Sequence, residues 1–201
     1  MMVEAITLIE TQLNQYIAQV DGGGPGAPDQ VVVGNVAQID RQEVAADLDN
    51  HLVLGLVNLQ EETTLKNGNT ASTTSSGAVA YRNVPIHLNL YLLFAANYRN
   101  YGTALKRLAQ VIQFFQGKQK FTIGNSPGAF PAASAITDFQ LVVDFVSLRF
   151  EEVNHLWGFL GAKAMPFVLY RARLIAITDD RVLEGGGRVR DLALKTRGIT
   201  A

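Results

Sequence analysis

Residues 84–117 read VPIHLNLYLLFAANYRNYGTALKRLAQVIQFFQG, and the hydrophobic period changes once along them. In the first part Ile86, Leu88, Leu90, Leu92 and Phe94 recur at every second position, the spacing that places side chains on one face of a strand. The opposite face begins with His87 and Asn89 and turns apolar at Tyr91, Leu93 and Ala95. That gradient predicts a central strand running from a half-exposed end into a region covered on both faces. After the polar break Asn97 to Asn100, the residues Tyr101, Ala104, Leu105, Leu108, Val111, Ile112 and Phe115 fall at helical steps, with Lys106, Gln110 and Gln113 opposite and Gly117 as the stop. A strand and an amphipathic helix joined by a short turn cover each other's apolar surface, and the other segments read as additions to that pair.

Upstream, Met2, Ala5, Ile6, Ile9, Leu13, Tyr16, Ile17 and Val20 predict an amphipathic helix from about Val3 to Val20. The run Asp21 to Pro28 ends it; without the Gly-Lys-Ser/Thr ending of a phosphate loop, this glycine-rich stretch reads as a connector. Val31 to Val33 is a short β-branched strand, with Val36 to Asp40 expected to continue it past a bulge at Gly34 and Arg41 to Asn50 expected to be irregular. In His51 to Glu62 the alternation places Leu52, Leu54, Leu56 and Asn58 on one face and Val53, Val57 and Leu59 on the other, which predicts a strand antiparallel to the central one. Lys66 to Gly77, rich in Asn, Thr, Ser and Gly, reads as a mobile loop.

Downstream of the helix come a minimal strand Phe121 to Ile123, a loop Gly124 to Ala135 and a strand carrying Phe139, Leu141, Val143 and Phe145. Ser147 is placed to cap a helix that stacks Phe150, Val153, Leu156, Trp157 and Leu160 on one face and ends at Gly161. Pro166 opens the last expected strand, Phe167 to Thr178. Beyond Asp179 the pattern dissolves into charges and a hinge at Gly185 to Gly187, dividing the chain into a domain, 1–184, and a flexible arm, 185–201. In that arm Arg188, Arg190, Lys195 and Arg197 face a single Asp191, making these four the candidate partner-interface residues.

With 201 residues the chain forms one α+β domain, a mainly antiparallel sheet packed by amphipathic helices and able to bury roughly 70% of its unfolded surface. Only 17% of residues are charged against 48% hydrophobic, a balance that suits a surface partly committed to other subunits. A net charge of −1 gives no long-range attraction to nucleic acid or anionic lipid, so neither is an expected partner. The absence of cysteine excludes disulfides and thiolate metal sites. No apolar run is long enough to span a bilayer, and the N-terminus lacks a signal-peptide pattern, so synthesis in the cytoplasm is expected.

Catalytic chemistry is sparse. Glu151, Glu152 and His155 share one helix, and Glu152 to His155 has the Glu-x-x-His spacing of carboxylate-bridged metal sites, which require a second copy that this chain lacks. A small metal-dependent or ligand-binding protein using those three residues is the alternative reading. His51 and His87 have no nucleophile pattern beside them, and Trp157 and the phenylalanines have core spacing. No catalytic, cofactor-binding or metal residue is expected.

Four blocks carry a more specific signal: HLVLGLVNLQEETTLKN from His51, PIHLNLYLLFAANY from Pro85, YGTALKRLAQVIQFFQGKQKFT from Tyr101 and LRFEEVNHLWGFLGAKAMPFVLYRAR from Leu148. Together they resemble the tail-terminator, or cap, proteins of extracellular contractile injection systems, phage-tail-like particles with an inner tube and a contractile sheath. The resemblance covers residues 3–178 and implies a tail-terminator fold without catalysis. It also implies a homo-hexameric ring at the distal end of the particle, in contact with the last tube and sheath rings, and later release within an extracellular particle. An arm that joins the cap to an adjacent subunit fits the same resemblance.

Overall fold

The computed structural model describes residues 2–23, 26–39, 41–62, 71–73, 79–82, 86–126, 139–177 and 182–186. The central pair forms as its periods predict. Strand β5 (Ile86–Asn97) is followed by helix α3 (Tyr101–Gly117), whose first turn is capped by Asn100 Oδ1 accepting from the Thr103 N–H at 3.0 Å. Around β5 lies a six-stranded sheet in the order β1 (Val31–Val33), β2 (His51–Glu61), β5, β8 (Phe167–Ile177), β7 (Gln140–Val146), β6 (Lys120–Thr122). β1 runs parallel to β2 and every other pair is antiparallel, including β2 with β5.

One face of this sheet carries α1 (Met2–Val20) and α3. Leu88, Leu90, Leu92 and Phe94 of β5 meet Leu8, Ile9, Leu13 and Ile17 of α1 and Val111 and Phe115 of α3 there. The opposite face collects Leu93 and Ala95 under helix α4 (Phe150–Leu160) and the short helix α2 (Gln42–Leu48). The polar-to-apolar gradient of β5 thus translates into coverage on both sides, as its sequence predicts.

Several segments differ from their sequence expectation. After Gly34, whose N–H still donates to Leu54 O at 3.0 Å, the chain leaves the sheet and makes a 3-10 turn over Val36–Gln38. α2 then replaces the expected irregular stretch; seven residues are too few to display a helical period. A Cβ at Gly34 would stand 2.6 Å from Leu48 Cδ2, so glycine permits α2 to lie this close. A β-bulge between Leu56 and Asn58 reverses the facing of β2: Asn58 pairs with Tyr91 and Leu59 with Leu90, the opposite of the alternation read from the sequence.

A second sheet lies where a loop and a tail were expected. β3 (Ala71–Thr73), β4 (Val79–Arg82) and β9 (Val182–Gly186) pair in the antiparallel order β3-β4-β9. β3 follows β2, β4 precedes β5 and β9 follows β8, so this order repeats β2-β5-β8. Gly185 and Gly186, read as part of a hinge, pair with Ala80 and Val79. Residues 66–70, 74–77 and 127–135 of the expected loops, and Thr178, lie outside the described residues. Among the described residues no helix is long and apolar enough to cross a membrane.

A polar network fixes α3 against α1. Asp21, just past α1, accepts from Arg107, from Gln110 Nε2 at 2.9 Å and from Lys106 Nζ at 2.8 Å, while Arg107 also donates to Gln30 Oε1 at 2.9 Å. The Lys106 and Arg107 bonds hold the Asp21 carboxyl down at about 2. α3 is accordingly rotated from the orientation that its apolar residues predict. Gln110 is buried along with Phe114, whereas Tyr101, Leu105 and Ile112 are exposed.

Candidate functional site

The four basic residues singled out by sequence, Arg188, Arg190, Lys195 and Arg197, lie outside the described residues. What the described residues provide is a set of surfaces, built mainly around α4. Ser147 does not cap this helix. Arg149 precedes it, and the Arg149 N–H donates to Glu152 Oε2 at 2.7 Å. At the other end Gly161 adopts φ +65°, the left-handed conformation favoured by glycine, and its N–H closes on Trp157 O at 3.0 Å.

Trp157 anchors α4, edge-on to Phe167 with ring centroids 5.5 Å apart. Val153, Leu156 and Leu160 are only half-buried. Phe150, read as part of the buried face, is 93% exposed, and Phe159 is 80% exposed. Between α4 and the sheet runs a groove of about 430 Å³, whose lining includes Val57, Tyr91, Leu156, Phe159 and Leu169. Such apolar surface marks an interaction site more readily than it marks a stable monomer surface. Glu152 and His155 sit on the groove's rim and Glu151 is exposed nearby, but Glu152 is committed to the helix start. Among the described residues no three His, Cys, Asp or Glu side chains are grouped so as to hold a metal ion.

A second apolar surface lies on the opposite face. Phe145 is 53% exposed and Ile112 is 43% exposed; both line a hollow of about 240 Å³ with Val143, Phe115 and Tyr170. Burial among these rings pushes the Tyr170 phenol up to about 12. The sequence placed Phe145 and Ile112 in the core because their period matches buried neighbours; among the described residues, both sit at a rim that no further element covers.

The ends of the large sheet are closed to strand addition. Asn14 of α1 accepts from the Val31 N–H at 2.9 Å and donates to Val31 O at 2.9 Å, while Glu10 accepts from Val33 N–H at 3.2 Å. Burial raises the Glu10 carboxyl above its ordinary value in this position. At the far edge Asn125 donates to Lys120 O and accepts from Thr122 N–H, both at 2.8 Å. These side chains occupy the backbone groups that an edge strand exposes. β1, however, pairs only with Leu52 to Leu54, and past that point no described strand pairs with β2 on the side away from β5.

The model of the Pvc16 N-terminal domain family matches residues 4–191. The chain belongs to this family. The sequence resemblance to contractile-injection terminators is thereby borne out. No curated protein is a significant match. Among solved structures, the fold is similar to that of a sheath/tube terminator of the extracellular contractile injection system PVC, in its extended state. The TM-score is 0.62 at 8% identity, covering 100% of this chain and 65% of that one. This Pvc16-type chain therefore spans about two thirds of that terminator, and the likeness bears out the α+β tail-terminator fold. A tube-terminating cap of the anti-feeding prophage also matches, with a TM-score of 0.47 and 13% identity over 73% of this chain and 49% of that one.

Proposed function

We propose that the chain is a structural terminator of a contractile injection particle, ending polymerisation of the inner tube and holding the sheath to it. The single observation that carries this reading is the family match over residues 4–191; the fold likeness to about 65% of a sheath/tube terminator agrees with it. Six copies form a closed ring in this reading, bound to the distal rings of tube and sheath. A heterologous ring needs two different surfaces on each subunit. The α4 groove and the Phe145–Ile112 surface, on opposite faces of the sheet, suit that requirement. The chain acts by geometry and not by catalysis, assembles in the cytoplasm and leaves the cell within the particle. Residues after β9, with Arg188, Arg190, Lys195 and Arg197, serve as an arm to an adjacent subunit.

Electron microscopy of particles assembled with and without the chain tests the reading. Overlong or uncapped tubes and detached sheaths are expected in its absence, and native mass measurement of purified protein is expected to show hexamers. Unchanged tube length and capping would overturn the proposal. Stoichiometric metal that disappears in His155→Ala would instead establish the metal-binding alternative.

A further inference from the structure

The two outermost strands of the large sheet are each three residues long and have backbone groups held by Asn14, Glu10 and Asn125. Natural sheets protect edges in this way against unwanted pairing. Leu56 to Gln60 of β2 is treated differently. β1 has already turned away, leaving beside Leu56 and Val57 a recess of about 250 Å³ also lined by Asn35, Val36 and Leu160. Val57 borders this recess and the α4 groove alike: it shares the α4 face with Val53, and the bulge adds Asn58 to that face. The side chain of Asn58 accepts from the adjacent Leu59 N–H at 2.9 Å in an exposed contact that one side-chain rotation releases. A strand edge that no described strand covers, with a mixed polar and apolar recess on one side of Val57 and the more apolar α4 groove on the other, has the form of a receptor for an extended segment: the backbone pairs and alternate side chains enter pockets.

We infer that this edge receives residues 187–201 of a neighbouring copy of the chain. The inference deepens the terminator reading and rests on it. Charge favours this occupant: the segment carries Arg188, Arg190, Lys195 and Arg197 against Asp191, and Glu152 lines the α4 groove, with Glu151 next to it in sequence and both exposed. Apolar spacing favours it as well, since Leu192 and Leu194 alternate about Ala193 as a strand facing two recesses requires. Placement suits a neighbouring copy. β9 is the outer strand of the small sheet on the side corresponding to β8, whereas the receiving edge lies on the side of β2. Donor and receptor at opposite margins of one subunit form a head-to-tail contact, the kind that closes a ring. Fifteen residues at about 3.3 Å each reach roughly 50 Å, several strand spacings.

The cysteine-free sequence permits a direct test in the full-length chain. Asn58→Cys and Leu194→Cys variants are mixed in equal amounts, oxidised and compared with a mixture of Val3→Cys and Leu194→Cys; Asn58 is exposed and lines the α4 groove, whereas Val3 is 74% exposed on α1, which packs on the opposite face of the sheet. A disulfide-linked heterodimer at least ten-fold more abundant in the first mixture is expected, and the double variant Asn58→Cys/Leu194→Cys should give a ladder of linked chains under reducing-agent-free conditions. Equal linkage in both mixtures, closure within a single chain, or linkage of Cys-substituted position 194 only to added sheath protein would overturn the inference. Particle capping, read separately by electron microscopy, keeps the two proposals apart: normal capping without the cross-link removes this receptor and leaves the terminator reading in place.

Discussion

The two faces of the central sheet are both apolar, yet they are finished differently. On the α1–α3 face, Phe94, Phe115 and Phe121 are almost fully buried and meet edge to face, with ring centroids 5.6 Å apart for Phe94–Phe115 and 6.2 Å for Phe115–Phe121. On the α4 face a single tryptophan is buried from the covering helix, and Phe150 and Phe159 stand in solvent. One face holds the subunit together, and the other retains apolar surface that an assembly can cover. The contrast shows that apolar content by itself does not distinguish core from interface; the presence of a second covering layer does.

The largest break in this comparison is expected from Phe94→Ala, which leaves a cavity among close-packed rings and costs about 3–5 kcal/mol of folding stability by urea titration. Trp157→Ala should cost less, because α4 buries less around it; equal costs would make the α4 face a second core. Next in size is Arg107→Ala. It removes the donor that joins Asp21, Gln110 and Gln30, and a loss of about 1–3 kcal/mol with little change in the dependence on urea concentration is expected.

A smaller effect follows from pH. The Asp21 carboxyl lies below its ordinary value of 3.8, at about 2, because Lys106 and Arg107 donate to it. A depressed folded-state value contributes stability that is complete above about pH 4 and is lost as the pH falls towards 2. Thermal melts of Asp21→Asn should therefore lie below the parent at pH 6 and converge with it near pH 2; a constant offset across that range would assign the stabilisation to the hydrogen bonds alone.

Phe159→Ala should have the smallest effect on the isolated subunit, within about 0.5 kcal/mol, since the ring is 80% exposed. Its effect is expected instead in assembly, as weaker ring formation by native mass measurement. A large loss of subunit stability would mean that the exposed ring supports the fold itself.

The sequence by itself determined α1, α3, β5, the antiparallel pairing of β2 with β5 and the stop of α4 at Gly161. Each rests on a local period or on a local backbone requirement, and both are written in consecutive residues. The family resemblance was legible for a similar reason, being carried by long ordered blocks. Only the tertiary structure decided which flank of α3 turned inward. A helical period fixes the pattern of faces but leaves its rotation free, and here Asp21, distant in sequence, draws Arg107 and Gln110 inward while Leu105 and Ile112 turn out. It likewise decided that β1 ends after three paired residues, that β3, β4 and β9 form a second sheet, and that Phe150 and Phe159 remain uncovered. Burial at a rim and partnership at an edge depend on whether another segment arrives there, and no local pattern of residues carries that information.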